Sequence, residues 1–575
     1  MLCSSALHAA PDAGDLLRQH SRPPVITAPT TGPEPRPGAP PRPSAAADEV
    51  RAGPRVELKA VRFSGAQGLV SDPELAAWVQ PYIGKSLSLG ELNEMAQQVT
   101  ARLADRGWVL ARAFLPPQDI TSGAVEVAIQ RGQLSAGPEG NRFRLDTPES
   151  LVRAGTRLSK IVNSALQISD AQPDLQEARL QRAVLLIQDI PGLQAKANLE
   201  KGEAAGSTLL TLQVSQLPRV QGQVSLDNLG NRYTGVASTA AQVGVQDALV
   251  FGDQVTTVLS AAQGIRLAAL NYSWLLGDHG LRATLGASRL QYKVGEELAE
   301  LDSNGRAATL QLGLSYPLLR TRDRTLRLQA GAETKALTDF ALGNMVKDRR
   351  VQLAFVGLGL ESIDTWWSGG FNNLQIKWTQ GNADFSRVQA DAEAGDITQT
   401  SGAFGKLGFV GSRQQRLSES STLLIGGSAQ WSNRNLPSSE RFSIGGAAGV
   451  RAYPGGEGSG DVGATLSIEV RRDLLLRGLS QPIKLSAFYD VGWIRVSNDT
   501  QANPTFNATG RNQYHLAGVG LGVGYDWAQV ASLKVQWATR IGDNPGRGAQ
   551  TDADSDGRRV RHRFMVSVSR PFSAF

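Results

Sequence analysis

The chain has 575 residues and a formal charge of +6, too long for one ordinary domain and too weakly basic, with no dense basic block, for a nucleic-acid-binding surface. Hydrophobic residues are 41% and mean hydropathy is -0.21, which suits neither a helical membrane protein nor a disordered chain, and no apolar run approaches the ~20 residues of a spanning helix. The single cysteine, Cys3, excludes an intrachain disulfide framework and a cysteine-based zinc site.

Met1–Ala10 is short, small-residue-rich and uncharged. It reads either as the cleavage-site end of a secretory signal or as a disordered start. Pro11–Arg22 carries DAGDLLRQHSR, where Asp12 can cap a short amphipathic helix. Pro23–Pro43 holds nine prolines in 21 positions, which reads as a semi-extended linker in preference to a docking peptide for an aromatic-lined groove.

A compact α+β unit spans 55–132. Val56–Phe63 alternates as a strand, and Ser71-Asp-Pro-Glu74 reads as a helix start with a capping box. Ser88–Asp105 places Leu89, Leu92, Met95, Ala96, Val99 and Leu103 at helical spacing, and Gly107 ends it. Trp108–Leu115 and Ala124–Gln130 read as two further strands. A noisier copy spans 133–216, with helices over Thr147–Asn163 and Pro173–Asp189 and strands over Gln194–Glu200 and Thr208–Ser215. Two copies of one small unit predict an internal repeat. Neither contains a catalytic set.

From 217 to 575 the pattern changes to alternating segments punctuated by glycines and polar turns, such as Leu281–Val294, Thr325–Ala332, Asn373–Thr379 and Ser532–Thr539. Eight of the ten tryptophans lie here. Amphipathic aromatics on aliphatic faces are what a transmembrane barrel places at its two interfaces. At roughly 22 residues per strand plus loop, the region fits about 16 antiparallel strands. A large soluble β protein such as a propeller is the alternative, and no blade-length repeat supports it. The expected fold is therefore mainly β: a C-terminal 16-stranded transmembrane barrel behind two small α+β domains and an N-terminal helix.

Two places inside this region stand out. Leu436–Asp461 has seven glycines and two prolines, the composition of a loop, with Val450-Arg451-Ala452-Tyr453 at its centre. Arg451 is either a solvated surface charge or the tip of a loop folded into something. Thr465–Arg471 puts Ser467, Glu469 and Arg471 on its polar face. In Ile483–Gly492, Ile483, Leu485, Ala487 and Tyr489 share the lipid-facing parity, and Lys484, Ser486, Phe488 and Asp490 face the lumen. A lumenal carboxylate needs a partner or water. Arg451 reaching down the barrel would supply one, and Lys484, on the same face, is the other choice; parity alone favours neither.

Other chemistry fails. Gly455–Gly460 lacks the Gly-Lys-Ser/Thr of a phosphate loop. Asp552–Gly557 begins like a calcium loop, but its twelfth position is Arg563 instead of glutamate. The five histidines have no ligand spacing. No catalytic residue, cofactor or metal site is expected.

These motifs resemble the two-partner secretion transporters of Gram-negative outer membranes, the hemolysin secretion/activation family. Arg451 matches the arginine of the family's VRGY/F loop motif, here Val450-Arg451-Ala452-Tyr453 with alanine where glycine is usual. Asp490 matches the acid of its F-x-D strand motif, here Phe488-Tyr489-Asp490. Residues 55–132, with Pro81-Tyr-Ile-Gly84, Arg106-Gly-Trp108 and Leu115-Pro-Pro-Gln-Asp119, resemble the first periplasmic polypeptide-transport-associated (POTRA) domain, and 133–216 occupy the place of the second.

The resemblance implies an Arg451–Asp490 salt bridge that holds the loop inside the barrel, a plug helix at 11–22 and a linker at 23–54. It also implies a non-enzymatic, monomeric transporter in outer-membrane lipid, which takes a large secreted exoprotein from its periplasmic POTRA domains through the barrel (type Vb secretion) and binds no nucleic acid. An assembly insertase of the same superfamily is the first alternative. A barrel lipase or a passive porin is further off.

Overall fold

A computed structural model describes residues 11–20, 54–135, 141–167, 175–203, 207–505, 507–528 and 530–574. The possible signal remnant, 1–10, and nearly all of the proline-rich linker, 23–53, lie outside them.

The alternating region closes into one antiparallel barrel of 16 strands, running from Val220–Asp227 to His562–Ala574, which pair with each other to complete the ring. Closure satisfies every edge without water, the condition for crossing a bilayer with strands. Leucines such as Leu259, Leu270, Leu310, Leu312 and Leu521 stand exposed on the outer wall. Trp274, Trp366, Trp367 and Trp527 lie at one end of the barrel and Trp431 and Trp493 towards the other, as two interface girdles require.

Two α+β units precede the barrel. In the first, Ala60–Ser64 pairs parallel with Ala124–Gln130, which pairs antiparallel with Arg112–Phe114. Helix Leu89–Asp105 covers this sheet with Leu92, Met95, Ala96, Val99 and Leu103 buried. In the second, Leu193–Lys201 pairs with Ser207–Gln216, and helices Gly155–Leu166 and Glu177–Gln188 pack over them. This second unit docks on the barrel's near end: Arg320 grips the Asp189 carboxylate through two N–H groups, at 3.0 and 2.8 Å, and Leu275 joins its core.

Several elements differ from the sequence reading. Val56–Phe63 is not one strand; Arg55–Glu57 pairs with Ser86–Ser88, and a second strand begins at Ala60. Trp108–Leu115 is strand only over Arg112–Phe114, because the Trp108 indole N–H donates to the Leu69 carbonyl at 3.0 Å and holds a turn there. The helix expected over Thr147–Asn163 opens as a 3-10 turn, Glu149–Ala154, before the α-helix begins. Ser71 precedes helix Asp72–Val79 without a side-chain cap, since Glu74 is drawn away to Arg106. The capping box sits at Ser88 and Glu91, whose side chain and backbone groups bond reciprocally at 3.3 and 2.7 Å.

Ser88 is fully buried, so its loss strips an orphan helix N–H of its partner. Ser88→Ala is expected to destabilise an isolated 54–135 fragment by about 1 kcal/mol, read as a lower urea midpoint at unchanged slope, whereas Ser71→Ala leaves the midpoint within error.

Candidate functional site

The lumen is filled by two segments. One is the long loop after the eleventh barrel strand, Ser421–Ser432. It returns into the barrel as a small hairpin, Phe442–Ser443 against Ser459–Gly460, and carries Val450–Tyr453 at its tip. Val450, Ala452 and Tyr453 are buried against Phe488, Leu516, Ala538 and Met565 of the wall.

Arg451 lies between two neighbouring strands, Val462–Leu474 and Ile483–Arg495. Its Nε and Nη2 donate to the two oxygens of Asp490, each at 2.8 Å, and its backbone N–H adds a third bond at 3.2 Å. Nη1 donates to Glu469 at 2.6 Å and Nη2 to Ser467 Oγ at 3.0 Å, and Ser467 in turn donates to Asp490 at 2.7 Å. The guanidinium sits 3.4 Å from the centre of the Phe488 ring. Register explains the convergence: Ser467 is opposite Asp490 and Glu469 opposite Phe488.

Arg451 is 7% exposed and Asp490 1%, so neither charge is compensated by bulk water. Lys484, the other candidate partner for Asp490, is bonded to Asp526 at 2.7 Å. Glu469 was not singled out from the sequence, although it shares a polar face with Ser467, which was the available signal. Ala452 departs from glycine without strain: its φ is not positive, and the facing Gly518 leaves the space, since a Cβ there would lie 2.6 Å from Ala452 Cβ.

The second segment is the helix Ala13–His20. Ala13, Leu16 and Leu17 are buried against lumenal residues that include Ile265, Leu290, Tyr292 and Leu353. Asp12 caps it, accepting from the Asp15 N–H at 2.9 Å, and also accepts from Lys347 Nζ at 2.9 Å and Ser438 Oγ at 3.0 Å. The Ala13 N–H donates to Asp339 at 2.8 Å, and Arg18 to the Arg441 carbonyl at 3.2 Å. A Cβ on Gly14 would lie 2.4 Å from Ser438 Oγ, so glycine lets the helix touch the base of the loop directly. Glu440, one turn on, is gripped by Lys335 and Lys406 at 2.7 and 2.8 Å. Burial alone would raise its carboxyl; the two ammonium groups hold it down to about 2.

The aspartates of the calcium-like run are each engaged by an arginine: Asp552 by Arg547, Asp554 by Arg540 and Asp556 by Arg563, at 2.6 to 2.7 Å. Glu457 of the long loop is buried beside Asp554, accepting from Asn544 Nδ2 at 2.7 Å and the Ser555 N–H at 2.6 Å. Burial first, and the Asp554 charge second, push its carboxyl up to about 7.

The family model for haemolysin secretion/activation proteins ShlB/FhaC/HecB matches residues 206–525, and a ShlB-type POTRA model matches 56–132. The heme/hemopexin transporter protein HuxB of Haemophilus influenzae is 26% identical over 509 residues, covering 88% of this chain and 85% of its own. The outer membrane transporter CdiB of Escherichia coli is 24% identical over 511 residues, 85% of this chain and 83% of its own. The solved structure of CdiB from Escherichia coli superposes with a TM-score of 0.68 at 20% identity over 92% of both chains.

A carboxyl whose folded value exceeds its unfolded one stabilises the fold below the unfolded value and loses that contribution as pH rises through the folded one. The outer seat of the long loop should therefore loosen between about pH 4.5 and 7. Limited proteolysis of the loop is expected to speed up across that window in wild type, and Glu457→Gln, which stays neutral, should flatten the profile.

Proposed function

Since the chain belongs to the haemolysin secretion/activation family, outer-membrane transporters of Gram-negative bacteria that act with a secreted partner in two-partner secretion, we propose that it translocates a large hemolysin-, hemagglutinin- or adhesin-like exoprotein. The two α+β units are its periplasmic receptor. Each ends in edge strands, Ala60–Ser64 in the first and Leu193–Lys201 in the second, so an extended segment can add a strand by main-chain pairing.

The observation that carries the reading is the way the lumen is closed. It is blocked by a helix and a loop that are anchored to the barrel through polar contacts, rather than by short wall side chains alone. A fixed plug would be apolar and covalently short. Two pieces held on ion pairs form a closed state that can be exchanged for an open one. The periplasm holds no ATP, so folding of the cargo outside supplies the direction. The carboxylates of the site are taken up by cations and hydroxyls that hold the loop in place. One copy of the chain makes a complete pore.

In this reading Arg451, Asp490 and Phe488 set the loop's inward position, with Val450 and Tyr453 as its apolar seat. Arg451→Ala leaves Asp490 buried without its cation, while Glu469 keeps Arg471 at 2.7 Å, a loss of about 3–5 kcal/mol. Arg451→Ala and Asp490→Ala are each expected to abolish release of the partner exoprotein while the barrel remains heat-modifiable in the outer membrane. Normal secretion by either variant would sink the assignment. Deleting residues 11–22 is expected to raise single-channel conductance in planar bilayers, and unchanged conductance would mean that the helix does not close the pore.

A further inference from the structure

The outer wall carries a second feature that transport does not use. Leu290, Tyr292 and Ile265 face the lumen, against the helix Ala13–His20. The residues between them therefore face lipid, and towards the end of the barrel away from the POTRA units these include arginines. Arg266 is opposite Gln291, and Gln291 is opposite Arg306, so the three form one row across adjacent strands. Arg289, opposite Ala268 and Ala308, lies one two-residue step nearer the membrane centre. Neighbouring strands are about 4.8 Å apart, so Arg266 and Arg306 stand roughly 10 Å from each other. All three arginines are exposed, and none has an ion-pair partner among the described residues. Lys293, at the rim, is by contrast taken by Asp302 at 3.0 Å.

Beside them the wall is hollow. A groove of about 400 Å³ runs over the outward positions Ala241, Leu259, Ala261 and Ala268, with Arg266 and Arg289 on its edge. Leu270, Leu285, Leu310 and Leu312 continue the apolar surface below. Cations on the lipid face cost little only near the interface, where long side chains reach the headgroups. Three of them unpaired on one face, capping an apolar groove, call for a ligand with several anionic groups and an acyl chain.

We propose that this face is a docking site for lipopolysaccharide, with the phosphates of lipid A on Arg266, Arg289 and Arg306 and an acyl chain in the alanine-lined groove. The position favours it, because the arginines lie at the outer-leaflet end of the barrel. The charge favours it too: three guanidinium groups spread over about 10 Å match a headgroup bearing more than one phosphate, whereas a phospholipid offers a single one.

The test uses the full chain in detergent micelles, titrated with Kdo2-lipid A and separately with phosphatidylglycerol, and followed by native mass spectrometry. Wild type is expected to retain Kdo2-lipid A in preference to phosphatidylglycerol. The combined Arg266→Gln, Arg289→Gln, Arg306→Gln variant is expected to lose affinity by about tenfold or more. Ala268→Phe, which fills the groove and keeps every charge, should also weaken retention severalfold, and it decides alone if the triple variant does not insert. Equal retention of the two lipids by wild type would mean an ordinary annular surface and overturn the site. So would undiminished lipid A binding by either folded variant.

Discussion

Taking a guanidinium out of water inside a barrel is the constraint from which the rest of the lumen follows. Arg451 is withdrawn from solvent, and its charge is met by Asp490, Glu469, Ser467 and the face of Phe488 at once. A surface ion pair contributes about 0–1 kcal/mol, but separating a buried one costs several. The tip therefore has one position, and that position fixes the loop behind it. With the loop fixed, Ser438 and Ser439 lie directly against Gly14, and the helix Ala13–His20 can seat against both loop and wall. Loop and helix are thus two layers of one closure: the inner layer is laid down by a salt bridge, and the outer layer leans on it.

The wall is shaped to receive the tip. On the strands beside it, glycine stands where a side chain would collide with the loop or with its aromatic neighbour. A Cβ at Gly492 would fall 2.7 Å from Ile444, and one at Gly520 would fall 2.2 Å from the Phe488 ring. Glycine is unfavourable in strand interiors on conformational grounds, so these positions exchange local strand stability for room. That exchange gives the 29-residue loop segment, 433–461, its room beside the wall.

Much of this was legible before any coordinates. Alternation marked the strands because a barrel wall has two chemically different faces, and the same alternation put Asp490 in the lumen. The glycine-rich stretch announced a loop, but composition could not say that it turned inward. Partners distant in sequence were out of reach: Asp12 meets Lys347 across 335 positions, a pairing set by barrel register alone. Local patterns misled where tertiary bonds competed. Ser71 and Ser88 both begin a serine–x–x–glutamate box, yet only the second forms, because Arg106 claims Glu74 while Arg55 grips Glu91 without displacing it from the helix start. The short strand at Arg112 has the same cause, a single indole bond that no window of hydrophobicity contains.

On the proposed function the helix is a closure that has to open, and its energetics fit that role. Its apolar grip is small: Leu16, Leu17 and Ala13 together contribute on the order of 5 kcal/mol. Its remaining anchors are polar, to Lys347, Ser438, Asp339 and Arg441, and water entering a vacated lumen replaces most of what they contribute. A ligand that binds with micromolar affinity supplies about 8 kcal/mol. On the proposed function, an extended cargo of that affinity would have enough binding free energy to displace the helix, provided that it binds the open state better than the closed one. The inner layer is costlier, because opening it exposes Asp490, Glu469 and Arg451 together. On the proposed function that difference would set an order: the helix leaves first, and the buried ion cluster yields only once there is water beside it to take up its charges.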